Sequence, residues 1–140
     1  MSYVVLEQAD SVGGTWRDNT YPGAACDVPS NLYCFSFAPN PKWSRTYPQQ
    51  AEIQTYMNEC ADRFDVRKNI QFDKNVTRAR FDSTRKLWRV EVNEGAEVFE
   101  ARALVMGVGG LSRPQMPDIP GLDSFRGELF HTARWKHDVN

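Results

Sequence analysis

The spacing of apolar residues changes from segment to segment along the chain, and each change predicts a different backbone. Tyr3 to Leu6 is a short apolar run rich in β-branched residues and closed by Glu7, the pattern of a buried parallel strand. Residues 8–48 carry Gly, Pro, Asn and aromatics with little periodicity. A stretch that long without regular structure is functional or disordered. Its aromatic side chains (Trp16, Tyr21, Tyr33, Phe35, Phe37, Trp43, Tyr47) argue for a loop that wraps over something. From about Gln49 to Phe64 the period becomes helical. Ile53, Tyr56, Met57, Cys60, Ala61 and Phe64 form one apolar stripe, with Glu59 and Arg63 as an i,i+4 pair on the wet side.

Beyond the helix the period drops to two. Val76 to Phe81 and Leu87 to Asn93 flank the polar turn Asp82-Ser83-Thr84-Arg85-Lys86, and Trp88, Val90 and Val92 alternate with Arg89 and Glu91. Asn93-Glu94-Gly95 turns the chain into a third strand over Glu97 to Arg102, completing a small antiparallel meander. Ala103 to Val108 is apolar throughout and predicts a central parallel strand, ended by Gly109 and Gly110. Pro114, Pro117 and Pro120 then space out an extended, stiff connector. A parallel strand, a helix, an antiparallel excursion and a further parallel strand suit an α/β nucleotide-binding domain with an inserted meander.

Composition narrows the partners. Seventeen Lys and Arg against eighteen Asp and Glu leave a net charge of −1, so no nucleic acid is expected. No apolar run approaches the roughly 20 residues that span a bilayer, and the first residues lack the basic region and cleavage site of a signal peptide. Cys26, Cys34 and Cys60 are odd in number and lack C-x-x-C spacing, which disfavours a disulfide framework or a zinc site and suits reduced thiols in the cytoplasm.

Two motifs carry the chemistry. The first is Gly13-Gly14-Thr15-Trp16 followed by Tyr21-Pro22-Gly23-Ala24-Ala25-Cys26-Asp27. Its glycines permit positive φ and a close backbone approach. Asp27, two residues before Pro29, also suits an ordinary Asx-turn. The second is Phe125-x-Gly127-x-x-x-His131-x-x-x-Trp135. Glu7 just after the first strand is in place to accept hydrogen bonds from ribose hydroxyls. An acid in that role lies about 20 residues after a G-x-G-x-x-G loop, and only six residues precede Glu7, so that loop is expected to be missing.

Together the motifs resemble the two fingerprints of the type I Baeyer–Villiger monooxygenases, a family of class B flavoenzymes. The resemblance implies a partial FAD/NAD(P)-binding Rossmann-like domain over 1–110 and a linker over 111–140 leading to an NADP-binding domain outside the chain. It implies FAD and NADP as cofactors, and a ketone and O2 as substrates. NADPH reduces FAD in that family, and a C4a-peroxyflavin inserts oxygen beside the carbonyl to give an ester or lactone. Cofactor contacts are implied for Glu7, Gly14, Thr15, Trp16, Cys26, Asp27, Val28, Tyr33, Val76, His131 and Trp135. Asp27 is the implied catalytic residue, orienting an arginine that this chain does not contain. The family commonly carries Arg where Ala25 stands, and Pro or Asp where Lys136 stands. Trp135 separates the ketone oxidisers from relatives that oxidise nitrogen or sulfur. That second activity remains an alternative, as does a truncated chain with no catalysis of its own.

Overall fold

The computed structural model describes residues 2–139, which form two compact units. One comprises residues 2–12 and 61–108, the other 13–60 and 109–139. Among the described residues, no helix is long and apolar enough to cross a membrane.

In the first unit, β1 (Val5–Leu6) pairs in parallel with β2 (Ile70–Gln71), Val5 opposite Ile70 and Leu6 opposite Gln71. The ladder continues past the strand end: the Glu7 N–H donates to Gln71 O at 3.0 Å, and Lys74 N–H to Glu7 O at 2.9 Å. A separate antiparallel sheet contains β3 (Val76–Asp82), β4 (Leu87–Val92) and β5 (Glu97–Ala101) in chain order. The alternation read from the sequence is realised in β4, where Val90 and Val92 are buried and Arg89 is exposed. Ala79 and Phe99 flank Val90 in register, and the Phe81 and Trp88 rings meet at 5.4 Å.

The β4–β5 turn places Asn93, Glu94 and Gly95 all at positive φ (49°, 59° and 92°). Asn93 fixes this turn to the start of β3. Its backbone N–H donates to Asn75 O, its Oδ1 accepts from Asn75 N–H, and its Nδ2 donates to Asp73 O. Asparagine suits the place because it tolerates the left-handed region and carries both a donor and an acceptor.

Helix α2 (Gln50–Arg63) lies in the second unit up to Cys60 and in the first from Ala61. Ile53, Tyr56, Cys60 and Ala61 are buried, as the apolar stripe requires. Asp65 ends the helix at φ 54°, with Val66 N–H donating to Ala61 O and Asp65 N–H to Asp62 O, the paired bonds of a Schellman cap. Phe64 falls beyond the last turn and is exposed, and Arg63 lies over its ring at 5.2 Å instead of pairing with Glu59.

The core of the second unit gathers Ala38, Tyr56 and Cys60, with Cys34, Trp43 and Met57 packed against them. Tyr56 ties the aromatic loop to the helix: its hydroxyl donates to Ala38 O at 2.7 Å and accepts from Phe35 N–H at 2.8 Å.

Two expected strands differ. The first is confined to Val5–Leu6, with Val4 and Val5 exposed, because β2 is its sole neighbour among the described residues. Residues 103–108 form no strand at all, and Val105 is 90% exposed. A central strand needs a ladder on each edge, and no described residue supplies one.

Candidate functional site

The first motif is built on two glycines that no other residue replaces without strain. Gly13 lies at φ 126° and Gly14 at φ 52°, turning the chain into the single-turn helix α1 (Thr15–Asp18). Gly13 is also crowded, since a Cβ there would lie 2.0 Å from Gln54 Oε1. Around Gly14 there is open space, so its backbone can be approached closely. The turn orients Trp16, whose Nε1–H donates to the Tyr33 hydroxyl at 2.9 Å while the rings meet edge to face at 5.7 Å. The Gln50 side-chain amide donates to the Trp16 carbonyl. Thr15, Trp16 and Tyr33 are all half-buried.

The second half of this motif runs antiparallel to the segment that precedes α2. Cys26 N–H donates to Pro48 O at 2.9 Å, Gln50 N–H to Ala24 O at 2.9 Å, and Ser30 N–H to Thr46 O at 2.7 Å, with Ala25 opposite Gln49. The Gln50 bond also satisfies one of the first amides of α2, which has no partner within its own helix. Cys26 is buried and its Sγ accepts from Val28 N–H at 3.4 Å. Asp27, between them, faces outward. Its carboxylate has no hydrogen-bond or ion-pair partner among the described residues, so the expected Asx-turn does not form; Pro29, two residues on, has no N–H to donate to it.

The final motif packs on the first within this unit. The Trp135 ring lies 6.4 Å from Tyr21 and 5.0 Å from Phe130, and His137 Nε2 is 2.9 Å from Thr20 Oγ1. His131 is half-buried and caps the turn Thr132–Arg134, its Nδ1 accepting from Ala133 N–H at 3.0 Å. A Cβ at Gly127 would sit 2.5 Å from the tip of the Phe125 ring, an exposed side chain that would have to move aside.

The eleven expected positions divide between the two units. Gly14, Thr15, Trp16, Cys26, Asp27, Val28, Tyr33, His131 and Trp135 belong to the second unit; Glu7 and Val76 belong to the first. Glu7 Oε1 accepts from Ala9 N–H at 2.9 Å just past β1, and Val76 opens β3 opposite Val92. Sequence reasoning missed Gln50 and Gln54, which lie against the glycine turn, and read Tyr56 as part of the apolar stripe without the loop-anchoring role of its hydroxyl. Gln50 and Gln54 stand one turn apart beside the apolar stripe of α2, and two amides so placed were a readable signal for loop anchoring. Burial pushes the Tyr56 phenol above its ordinary range; the Phe35 N–H opposes this and Cys60 adds to it. Among the described residues no cluster of His, Cys, Asp or Glu could hold a metal ion.

Residues 1–139 match the family described as flavin-binding monooxygenase-like. A Baeyer–Villiger monooxygenase of Streptomyces coelicolor is 53% identical over 99% of this chain, which covers 26% of that relative. One from Pseudomonas aeruginosa is 38% identical over a similar span. The solved structure of OTEMO in complex with FAD and NADP superposes with a TM-score of 0.88 at 40% identity, over 99% of this chain and 27% of that one. Cyclohexanone monooxygenase from Rhodococcus sp. Phi1 bound to NADP+ gives 0.85 at 43%, over 98% and 26%. The chain thus spans about a quarter of the length of the relatives it matches. It belongs to the flavin-binding monooxygenase-like family, and its relatives there include Baeyer–Villiger monooxygenases.

Proposed function

We propose that this chain forms part of the cofactor-binding region of an FAD- and NADPH-dependent monooxygenase that inserts one oxygen atom of O2 beside a ketone carbonyl. Residues 1–110 then belong to a Rossmann-like FAD domain with the antiparallel sheet as its inserted meander, and 111–140 to a linker toward an NADP-binding domain. The observation that carries the reading is the outward, unpartnered carboxylate of Asp27, held on a backbone fixed by hydrogen bonds on both sides of it.

The residues fit such a group. Gly14 leaves room for close backbone approach, and Trp16 presents an indole whose orientation is set by Tyr33. Glu7 ends a strand where an acid receives ribose hydroxyls, and Val76 offers backbone groups to the adenine. The flavin, when bound, supplies the redox chemistry and the activation of O2. The protein's part is to bind, orient and exclude water. Gly14, Thr15, Trp16 and Tyr33 lie along the flavin in this reading, while Cys26, Asp27 and Val28 face the nicotinamide side. Asp27 holds a guanidinium by charge-assisted bonds, and that cation stabilises negative charge developing on the reacting oxygens. His131 and Trp135 transmit nicotinamide-cofactor binding through the linker without transferring a proton. A cytoplasmic location goes with the free thiols.

The test is NADPH- and O2-dependent conversion of cyclic and aryl ketones to esters by the protein produced from its own gene. Ester formation that falls at least about a hundredfold in Asp27→Ala, as loss of an electrostatic stabiliser implies, supports the reading. Oxidation of amines or sulfides alone reassigns the substrate class.

A further inference from the structure

Beside the Ala24–Ser30 ladder lies an open cleft of about 570 Å³, lined by Gly23, Ala25, Arg45, Thr46, Tyr47 and Gln49. That volume falls within the range of about 300–1,000 Å³ usual for small-molecule sites. Its two walls are neighbouring backbone segments locked together by the Cys26–Pro48, Gln50–Ala24 and Ser30–Thr46 hydrogen bonds. These bonds fix the spacing of the two backbone walls, while all six lining residues are exposed. Gly23 sits at φ 80° with open space around it, which keeps one wall free of side chain.

The chemistry of the lining is one-sided. Arg45 is the sole charged residue in it, and no carboxylate contributes. Thr46, Tyr47 and Gln49 each carry a side-chain donor. Among the described residues the Arg45 guanidinium has no hydrogen-bond, ion-pair or ring partner. Glu52, the acid in the first turn of α2, is engaged elsewhere, its two oxygens accepting from Ser44 N–H at 2.8 Å and Ser44 Oγ at 3.0 Å. An uncompensated guanidinium among neutral donors matches a group with several acceptor oxygens and a negative charge.

We propose that this cleft is a binding site for a small oxyanion-bearing molecule, a carboxylate or a phosphate ester, with Arg45 as the residue that holds its charge. The inference rests on the cleft alone and stands whether or not the oxygenation reading holds.

Amide chemical-shift titrations of the isotopically labelled chain test it, using inorganic phosphate, acetate and neutral acetone as separate probes. The expected result is saturable movement of the Gly23, Ala25 and residue 45–49 amides with at least one anion. The tighter anion names the ligand class. Added NaCl should weaken the response, Arg45→Gln should weaken it at least about tenfold, and Arg45→Lys should restore part of it. Saturation by acetone equal to that by the anions, no saturable shift with either anion, or unchanged anion binding in Arg45→Gln overturns the proposal. If Arg45→Gln does not fold, the NaCl dependence in the unaltered chain decides: anion binding unaffected by salt overturns it.

Discussion

Trp16 shows how a single side chain is oriented here without a tight cage. Its ring nitrogen donates to Tyr33 and its carbonyl receives the Gln50 amide, so both ends of the residue are fixed while the indole stays half-buried. Replacing Tyr33 by Phe leaves the indole N–H without its acceptor. The expected loss is about 1 kcal/mol, measurable as a lower denaturant midpoint with an altered indole emission. An unchanged midpoint and spectrum would show that the bond does not hold the ring. Tyr56 carries a pH signature. Its phenol is buried and its pKa is raised above the ordinary value, so the folded state favours the neutral form more than the unfolded state does. The resulting stability is complete below the unfolded value of about 10 and is lost as pH rises through the folded one. Urea midpoints should therefore fall on the alkaline side in the native sequence, and this fall should be shallower in Tyr56→Phe. On the acid side, hydrogen bonds from Arg67 to Asp62 and from Arg85 to Glu100 lower both carboxyl pKa values. Their contribution is present above the ordinary carboxylate range and is lost as pH falls through the folded values, but both pairs are exposed and their effect is small.

At the scale of elements, the glycine turn before α1 depends on a helix more than thirty residues away in sequence. Gly13→Ala demands both a strained φ and displacement of the Gln54 amide. The expected cost is about 1–3 kcal/mol, read as a lowered thermal midpoint; Gly23→Ala, with open space around it, should carry only the cost of its φ. Asn93→Ala removes a donor and an acceptor that tie the β4–β5 turn to the start of β3 and should cost about 1–2 kcal/mol in the same measurement. These features separate what the sequence disclosed from what it hid. The stripe from Ile53 to Ala61 and the alternation of Trp88, Val90 and Val92 were legible because local period alone decides them. The bracing of Gly13 by Gln54 and the ladder between Ala24–Ser30 and Thr46–Gln50 were hidden, since contacts between irregular segments leave no period to read. The two motifs were visible as strings, but their packing through Tyr21–Trp135 and Thr20–His137 needed coordinates. The short β2 escaped because a two-residue strand has no pattern of its own. The run at 103–108 was misread because an apolar segment states that it can be buried, not that a neighbour is present.

For the whole molecule, that unpaired run has a direct physical result. Val105, Met106 and Val108 are 90%, 73% and 66% exposed, an apolar patch of a kind that drives association. The chain should therefore self-associate as its concentration rises. Val105→Lys with Met106→Glu should suppress the increase in light scattering, while leaving circular dichroism unchanged. Equal scattering by the native and substituted chains would place the association surface elsewhere. The three cysteines offer a different handle on the same molecule. They sit at two depths, with Cys34 half-buried and Cys26 and Cys60 buried, one in the ladder and one on the helix. Brief alkylation followed by peptide mass spectrometry would thus timestamp each region's opening separately, and sulfur atoms already in the chain would record the order in which it comes apart.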